Sequence, residues 1–217
     1  MTVLFEKMLV ELNEGMTDMG QLIEQAIARC VDALRSGDVE KARKLVAMDD
    51  VVDHKERELE NLCLRLLLTQ HPVARDMRFV SAALKMLTDM ERIGDQAADI
   101  AELIALAGDT IPAEFHPVFD QMADAVVQMV KNAVSAFIAM DDATAKHVIA
   151  MDDRVDALFT QIKDELTRHL QTRPQMSQYV LDALMIAKYF ERIGDHAVNV
   201  AEWVEYAITG VHMSDGK

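Results

Sequence analysis

The sequence predicts an all-α fold of two pseudo-symmetric three-helix bundles, six long up-down helices with coiled-coil-like packing. Three observations carry that expectation. Glu91-Arg92-Ile93-Gly94-Asp95 returns unchanged as Glu191-Arg192-Ile193-Gly194-Asp195, with a similar flank after it, which marks an internal repeat. The 217 residues include only four prolines and eight glycines, so stretches rich in Ala, Leu, Glu, Lys and Met run long without a breaker. Apolar residues then recur at alternating spacings of four and three, the 3.5-residue period of left-handed supercoiled packing.

The first helix carries Phe5, Leu9, Leu12, Met16, Met19, Ile23, Ala26 and Cys30 on that rhythm. Ser36-Gly37-Asp38 ends it and supplies a cap for the next. A second helix is expected from about Val39 to Gln70, halted before Pro72, with Asp49, Asp53, Glu56 and Glu60 on one face. The third runs from about Ala74 to Leu106. Ala107-Gly108-Asp109-Thr110-Ile111-Pro112 is the strongest break in the chain. It divides the sequence into a first bundle over 1–107, a linker over 108–113, a second bundle over 114–211 and a tail over 212–217.

The second half repeats the plan. Phe115, Phe119, Met122, Val126, Met129, Ala133, Ala136 and Met140 keep the four-three rhythm at an offset of 110. Met48-Asp49-Asp50-Val51-Val52-Asp53 becomes Met151-Asp152-Asp153-Arg154-Val155-Asp156 at an offset of 103, and the Glu-Arg-Ile-Gly-Asp helices sit at 100. The first drop is one heptad, so the core register survives it. The second falls near the turn where Pro174 answers Pro72. Each repeat is expected to bury its own core, and the two to stack.

Composition excludes several classes. Half the residues are apolar and about a quarter charged, which is globular and not disordered. Cys30 and Cys63 match no zinc or redox spacing and read as reduced core residues of a cytoplasmic protein. Nothing at the N-terminus resembles a signal peptide, and no apolar run approaches the ~20 residues of a membrane span. A net charge of −15 argues against nucleic acid and against direct adhesion to anionic lipid.

The repeated motif is also the candidate site. With residue 91 at zero and 100° per residue, Ile93, Ala97, Ile100 and Ile104 fall between about 180° and 240°. Glu91, Asp95 and Glu102 gather on the opposite face, with Asp99 at its margin. A mid-helix glycine costs roughly 1 kcal/mol against alanine, and close approach of a neighbour explains accepting that twice, at Gly94 and Gly194. Asp49 to Asp53 lies about 21 residues before Pro72 and Glu91 to Asp95 about 21 after it, so an antiparallel hairpin brings the pairs to one height. Asp152 and Asp156 meet Glu191 and Asp195 in the same way across Pro174. Carboxylates at i,i+4 on adjacent helices suit iron, manganese, magnesium or calcium, and zinc tolerates them. The bland alternative is a solvated acidic face, with Arg92 and Arg192 as ordinary ion-pair partners. His54 and His196 stand beside the clusters, but an isolated histidine is more often structural. The methionines and Trp203 read as packing.

The doubled E-R-I-G-D-x-A-x-x-x-A-E signature closely resembles the PhoU family, accessory proteins of the phosphate-specific transport system. So do the paired D-x-x-x-D on the preceding helix, the His71-Pro72-Val73-Ala74-Arg75-Asp76-Met77-Arg78 turn and the closing Glu205-Tyr206-Ala207-Ile208-Thr209-Gly210. The resemblance spans about residues 5 to 211. It implies two three-helix bundles with multinuclear metal clusters, iron or zinc foremost, on Asp49/Asp53, Glu91/Asp95 with Asp99, Asp152/Asp156 and Glu191/Asp195. It further implies a non-enzymatic, membrane-associated negative regulator of the phosphate-starvation response, acting between the ATPase subunit of a phosphate ABC transporter and a phosphate-sensing histidine kinase. A homodimer is expected. Asn199 replaces Asp99, and Phe159 and Lys163 stand in for Glu56 and Glu60, so the second site is expected to be the weaker. A carboxylate-bridged di-iron protein is disfavoured, because that class uses Glu-x-x-His inside a bundle core and the chain contains none. A metal-free helical scaffold is the third alternative.

Overall fold

A computed structural model describes residues 3–46, 48–107 and 115–211. The first repeat comprises α1 (Val3–Ser36), α2 (Val39–Val46), α3 (Asp49–Gln70) and α4 (Arg75–Ala107). The second comprises α5 (His116–Ala139), α6 (Asp142–Thr172) and α7 (Ser177–Thr209), with one 3-10 turn at Pro174–Met176 before α7. With α2 and α3 counted as one interrupted helix, both repeats are three-helix bundles, as the periodicity predicts. The expected linker at 108–113, the start of the second bundle at 114 and the tail at 212–217 lie outside the described residues.

The breaks follow local chemistry. Gly37 closes α1 with φ 60°, a left-handed position open to glycine, and its N–H donates to the Ala33 carbonyl at 2.9 Å. Asp38 then caps α2, accepting from the Glu40 and Lys41 amides at 3.1 Å each. Asp141 does the same for α6 through Ala143 and Thr144, satisfying amides that have no intrahelical partner.

One boundary differs from expectation. The single helix expected over Val39–Gln70 is divided between α2 and α3. The Met48 amide bonds the Leu45 carbonyl three residues back, at 2.8 Å, a tightened turn that ends α2. Asp49 and Asp50 then form an acidic first turn for α3, where the helix dipole favours negative charge. The corresponding Asp152 and Asp153 lie inside the unbroken α6.

The heptad positions are the core: Phe5, Leu12, Met16, Met19 and Ile23 in α1 and Phe119, Met122, Val126 and Met129 in α5 are buried. The repeats do not keep separate cores. One continuous apolar cluster includes residues of every long helix, and the most extensive helix pairing is α4 against α7, across the repeats. Phe79 of α4 stacks on Phe137 of α5 with ring centroids 4.4 Å apart. Arg35 of α1 donates to Asp120 of α5 at 2.8 Å. The long supercoiled faces are wide enough to pack both within and between repeats, which sequence periodicity alone does not separate.

Of the described helices α5 alone has the length and mean apolarity of a membrane span, although Asp120, Asp124 and Lys131 interrupt it, in keeping with the expectation that no uninterrupted apolar run is that long. The apolar side chains of α5, among them Val118, Phe119, Val126, Val130 and Phe137, are spent in the core. Cys30 and Cys63 are free and buried, and burial pushes both thiols up to about 12.

Candidate metal centre

Two glycines set the geometry. A Cβ on Gly94 would lie 2.9 Å from Val52 Cγ1, and one on Gly194 would lie 3.3 Å from Val155 Cγ1 and 3.5 Å from Asp152 Oδ1. Their absence lets α3 approach α4, and α6 approach α7, at the height of the acidic motifs. The mid-helix glycines therefore serve the close approach that their cost suggested.

In the first repeat the approach brings Asp49, Asp53 and Asp95 together, with one carboxylate oxygen from each within 4.8 Å of the others. All three are half-buried, as are Glu91 and Asp99. Crowding leaves a clear electrostatic record. Burial, then Asp95 and Asp53, pushes the Asp49 carboxyl up to about 6. Burial and Asp95 push Glu91 up to about 7, against the opposing pull of Arg92. Asp99 is raised by burial, Asp95 and Glu102. Glu56 joins the group, raised by burial, Glu60 and Asp53. The sequence placed it on the same face, and its continuation of the Asp49–Asp53 stripe was the available signal for counting it in the site.

The local cations do not neutralise this cluster fully. Arg57 pairs with Asp53 at 2.6 Å and Arg92 with Asp95 at 2.9 Å. Both guanidinium groups are mostly exposed, and such pairs contribute little. Asp49 Oδ1 is buried without any hydrogen-bond partner, the arrangement that costs most for a carboxylate unless a cation or proton completes it.

The second repeat places Asp156, Asp195 and Glu191 around Asp152, but among the described residues no three carboxylates there converge as Asp49, Asp53 and Asp95 do. Burial, Asp156, Asp195 and Glu191 push Asp152 up to about 6, and Asp152 Oδ1 is likewise buried and unpartnered. Asp195, more exposed, is raised by desolvation and Glu191. Here Lys188 enters the site. Its ammonium forms an ion pair with Glu191, opposes the rise at Asp195 and sits 5.6 Å from the centroid of the Phe159 ring. The loss of acids at Phe159 and Asn199 is visible in the sequence, whereas the role of this lysine, whose counterpart one hundred residues earlier is Thr88, is not.

His196 and Asn199 have a structural task. His196 Nδ1 lies 2.9 Å from Asp89 Oδ1, and Asn199 donates to the same oxygen at 3.0 Å, tying α7 to α4. His54 is exposed. Trp203 packs edge-on against Tyr206 at 5.6 Å.

These paired acidic grooves, repeated on matching helices, sit inside regions with known relatives. The PhoU domain family model matches the chain twice, at residues 16–104 and 119–204. The chain belongs to the PhoU family. It is 34% identical over 208 residues to the phosphate-specific transport system accessory protein PhoU homolog of Clostridium acetobutylicum, covering 95% of each chain. The corresponding Rhizobium meliloti protein is 30% identical, over 95% of this chain and 87% of its own. The crystal structure of PhoU from Pseudomonas aeruginosa superposes with a TM-score of 0.88 at 29% identity, covering 95% of this chain and all (100%) of that one. The phosphate transport system regulatory protein PhoU of Streptococcus pneumoniae gives 0.86 at 25% identity, covering 96% and 99%. The relatives carry the names of accessory and regulatory proteins, and the PhoU domains enclose both acidic grooves.

Proposed function

We propose that this PhoU-family chain is a non-enzymatic accessory protein of a phosphate-specific transport system, a negative regulator that bridges the transporter's ATPase subunit and a phosphate-sensing histidine kinase. Metal held on the acidic grooves shapes its surface. The observation that carries the metal reading is the buried, unpartnered oxygen of Asp49, repeated at Asp152, beside carboxyls whose affinity for protons is already raised. A site that holds protons too tightly for lack of a cation is a site that a cation fits. Asp49, Asp53, Glu91, Asp95 and Asp99 form the first set, and Asp152, Asp156, Glu191 and Asp195 the second. Oxygen-only donors suit iron and zinc here, and also manganese, magnesium or calcium.

The absence of Glu-x-x-His and the half-buried or exposed, groove-lining position of the acids support an adaptor over a di-iron oxidoreductase, whose carboxylates project into a bundle core. The α3–α4 turn supplies a partner surface, with Leu68 and Val73 each 73% exposed beside Arg75. Arg78 belongs to the scaffold instead: its Cδ and Nε lie 3.5 Å from where a Cβ on Gly210 would stand. The protein acts at the cytoplasmic face of the membrane through its partners, as a homodimer.

Elemental analysis of tag-free protein, purified without chelator, tests the reading against Glu91→Ala/Asp95→Ala. Several metal equivalents per chain in the parent, sharply fewer in the variant, are expected. Metal absent from both, and not taken up on incubation, sinks the metal part. Unchanged capture of both partners by Arg75→Ala and Asp76→Ala sinks the turn as a contact.

A further inference from the structure

The break between α2 and α3 opens a cavity of about 200 Å³ lined by Arg29, Asp32, Lys41, Lys44, Leu45 and Met48. Three cations against a single carboxylate is unusual in a chain with net charge −15. Lys41 is paired with Asp32 at 2.7 Å. Among the described residues Arg29 donates only to the Met48 thioether, a poor use of a guanidinium, which prefers planar or tetrahedral oxyanions. Lys44 has no hydrogen bond or ion pair among the described residues. Elsewhere on the surface, Arg35, Arg43, Arg57, Arg92 and Lys146 each hold a carboxylate.

The floor of the cavity is apolar. Leu45 is buried and Met48 half-buried, and a thioether makes favourable contact with a flat ring. The volume lies below the ~300–1,000 Å³ of drug-sized sites but leaves room beyond an isolated oxyanion. The second repeat differs at the corresponding positions. There α6 is continuous, Ala139 stands where Arg29 does, and His147 where Lys44 does.

We propose that this cavity binds a phosphorylated small molecule, its phosphoryl group held by Arg29 and Lys44 and its uncharged part seated on Leu45 and Met48. Lys41 contributes by sharing its ammonium between Asp32 and the ligand. The site is separate from the carboxylate grooves and does not depend on their holding metal.

Calorimetric titration of the full chain, stripped with chelator, tests this with AMP, adenosine and inorganic phosphate as probes. One equivalent of AMP is expected to bind more tightly than phosphate or adenosine, and more weakly as salt rises. Arg29→Gln/Lys44→Gln should weaken AMP by at least about tenfold, the loss of charge-assisted hydrogen bonds, with an unchanged melting temperature because both side chains are exposed. The proposal is overturned by no saturable AMP heat, by equal affinity in the variant, or by AMP binding no tighter than phosphate or adenosine. AMP binding that appears only after metal loading and ignores the Arg29/Lys44 change overturns it as well, while leaving the metal reading intact.

Discussion

The two acidic grooves start from one motif and end with different electrostatics. In the first, Asp49, Asp53, Glu91, Asp95, Asp99 and Glu56 crowd together with only exposed arginines to oppose them. In the second, an ammonium from the same helix as Glu191 already occupies part of the space, and Phe159 takes the position of an acid. Identical Glu-Arg-Ile-Gly-Asp segments therefore do not imply identical sites. The residues a turn away decide how much negative charge is left for a metal.

The largest effect that separates the grooves concerns packing. Gly94→Ala puts a methyl 2.9 Å from Val52 Cγ1, an overpacking cost of about 1–3 kcal/mol, only partly offset by the roughly 1 kcal/mol gain in helix propensity. Gly194→Ala, with 3.3 Å to Val155 Cγ1, should stay within about 1 kcal/mol of the parent. Denaturant melts of the two variants check this, and equal losses would refute the tighter approach at Gly94. Next in size, Lys188→Thr removes the resident cation and copies the first repeat. It should raise metal affinity at the second groove about tenfold, or 1.4 kcal/mol, in competition titrations made on a Glu91→Ala/Asp95→Ala background. No change would mean that Lys188 does not compete with metal.

The smallest effect is on pH dependence. Asp49 and Asp152 near 6 and Glu91 near 7 hold protons more tightly folded than unfolded. Their contribution to stability is fully present below the ordinary carboxyl range, about 4, and is lost as pH rises through 6 to 7. Chelated protein should melt a few degrees higher at pH 5 than at pH 7.5, apart from acid effects elsewhere. Metal-loaded protein should show the opposite slope, since protons and metal compete for the same oxygens. Asp49→Asn with Glu91→Gln should remove more of the apo slope than Asp152→Asn. A chelated parent that melts higher at pH 7.5 would show that the grooves are not crowded and desolvated as described.

Much of this was legible from residue order. The two repeats, the heptad core and the convergence of Asp49, Asp53 and Asp95 followed from counting residues to Pro72, because helix rise and turn position are nearly rigid. Close approach at Gly94 and Gly194 followed from the cost of glycine in a helix. The α2–α3 break did not, since no proline or glycine marks Met48 and the apolar rhythm runs through it. The Asp89–His196–Asn199 tie was also hidden. It joins residues over one hundred positions apart, and only the packing of α4 on α7 makes them neighbours. Lys188 gives no sign of its role in the sequence, because on one helix it reads as a routine partner for Glu191, while its effect depends on Phe159 from another.

The shared interior has an evolutionary consequence. A duplication whose halves kept separate interiors could later lose, swap or reorder one of them. Here Phe79 rests on Phe137, Asp89 binds His196, and the apolar cluster passes through both repeats, so neither half has a finished inner surface of its own. Each copy depends on the other for its interior, while the two grooves lie outside that shared core. A lysine can settle in one groove while the other keeps its acids, without either change asking the interior to adapt.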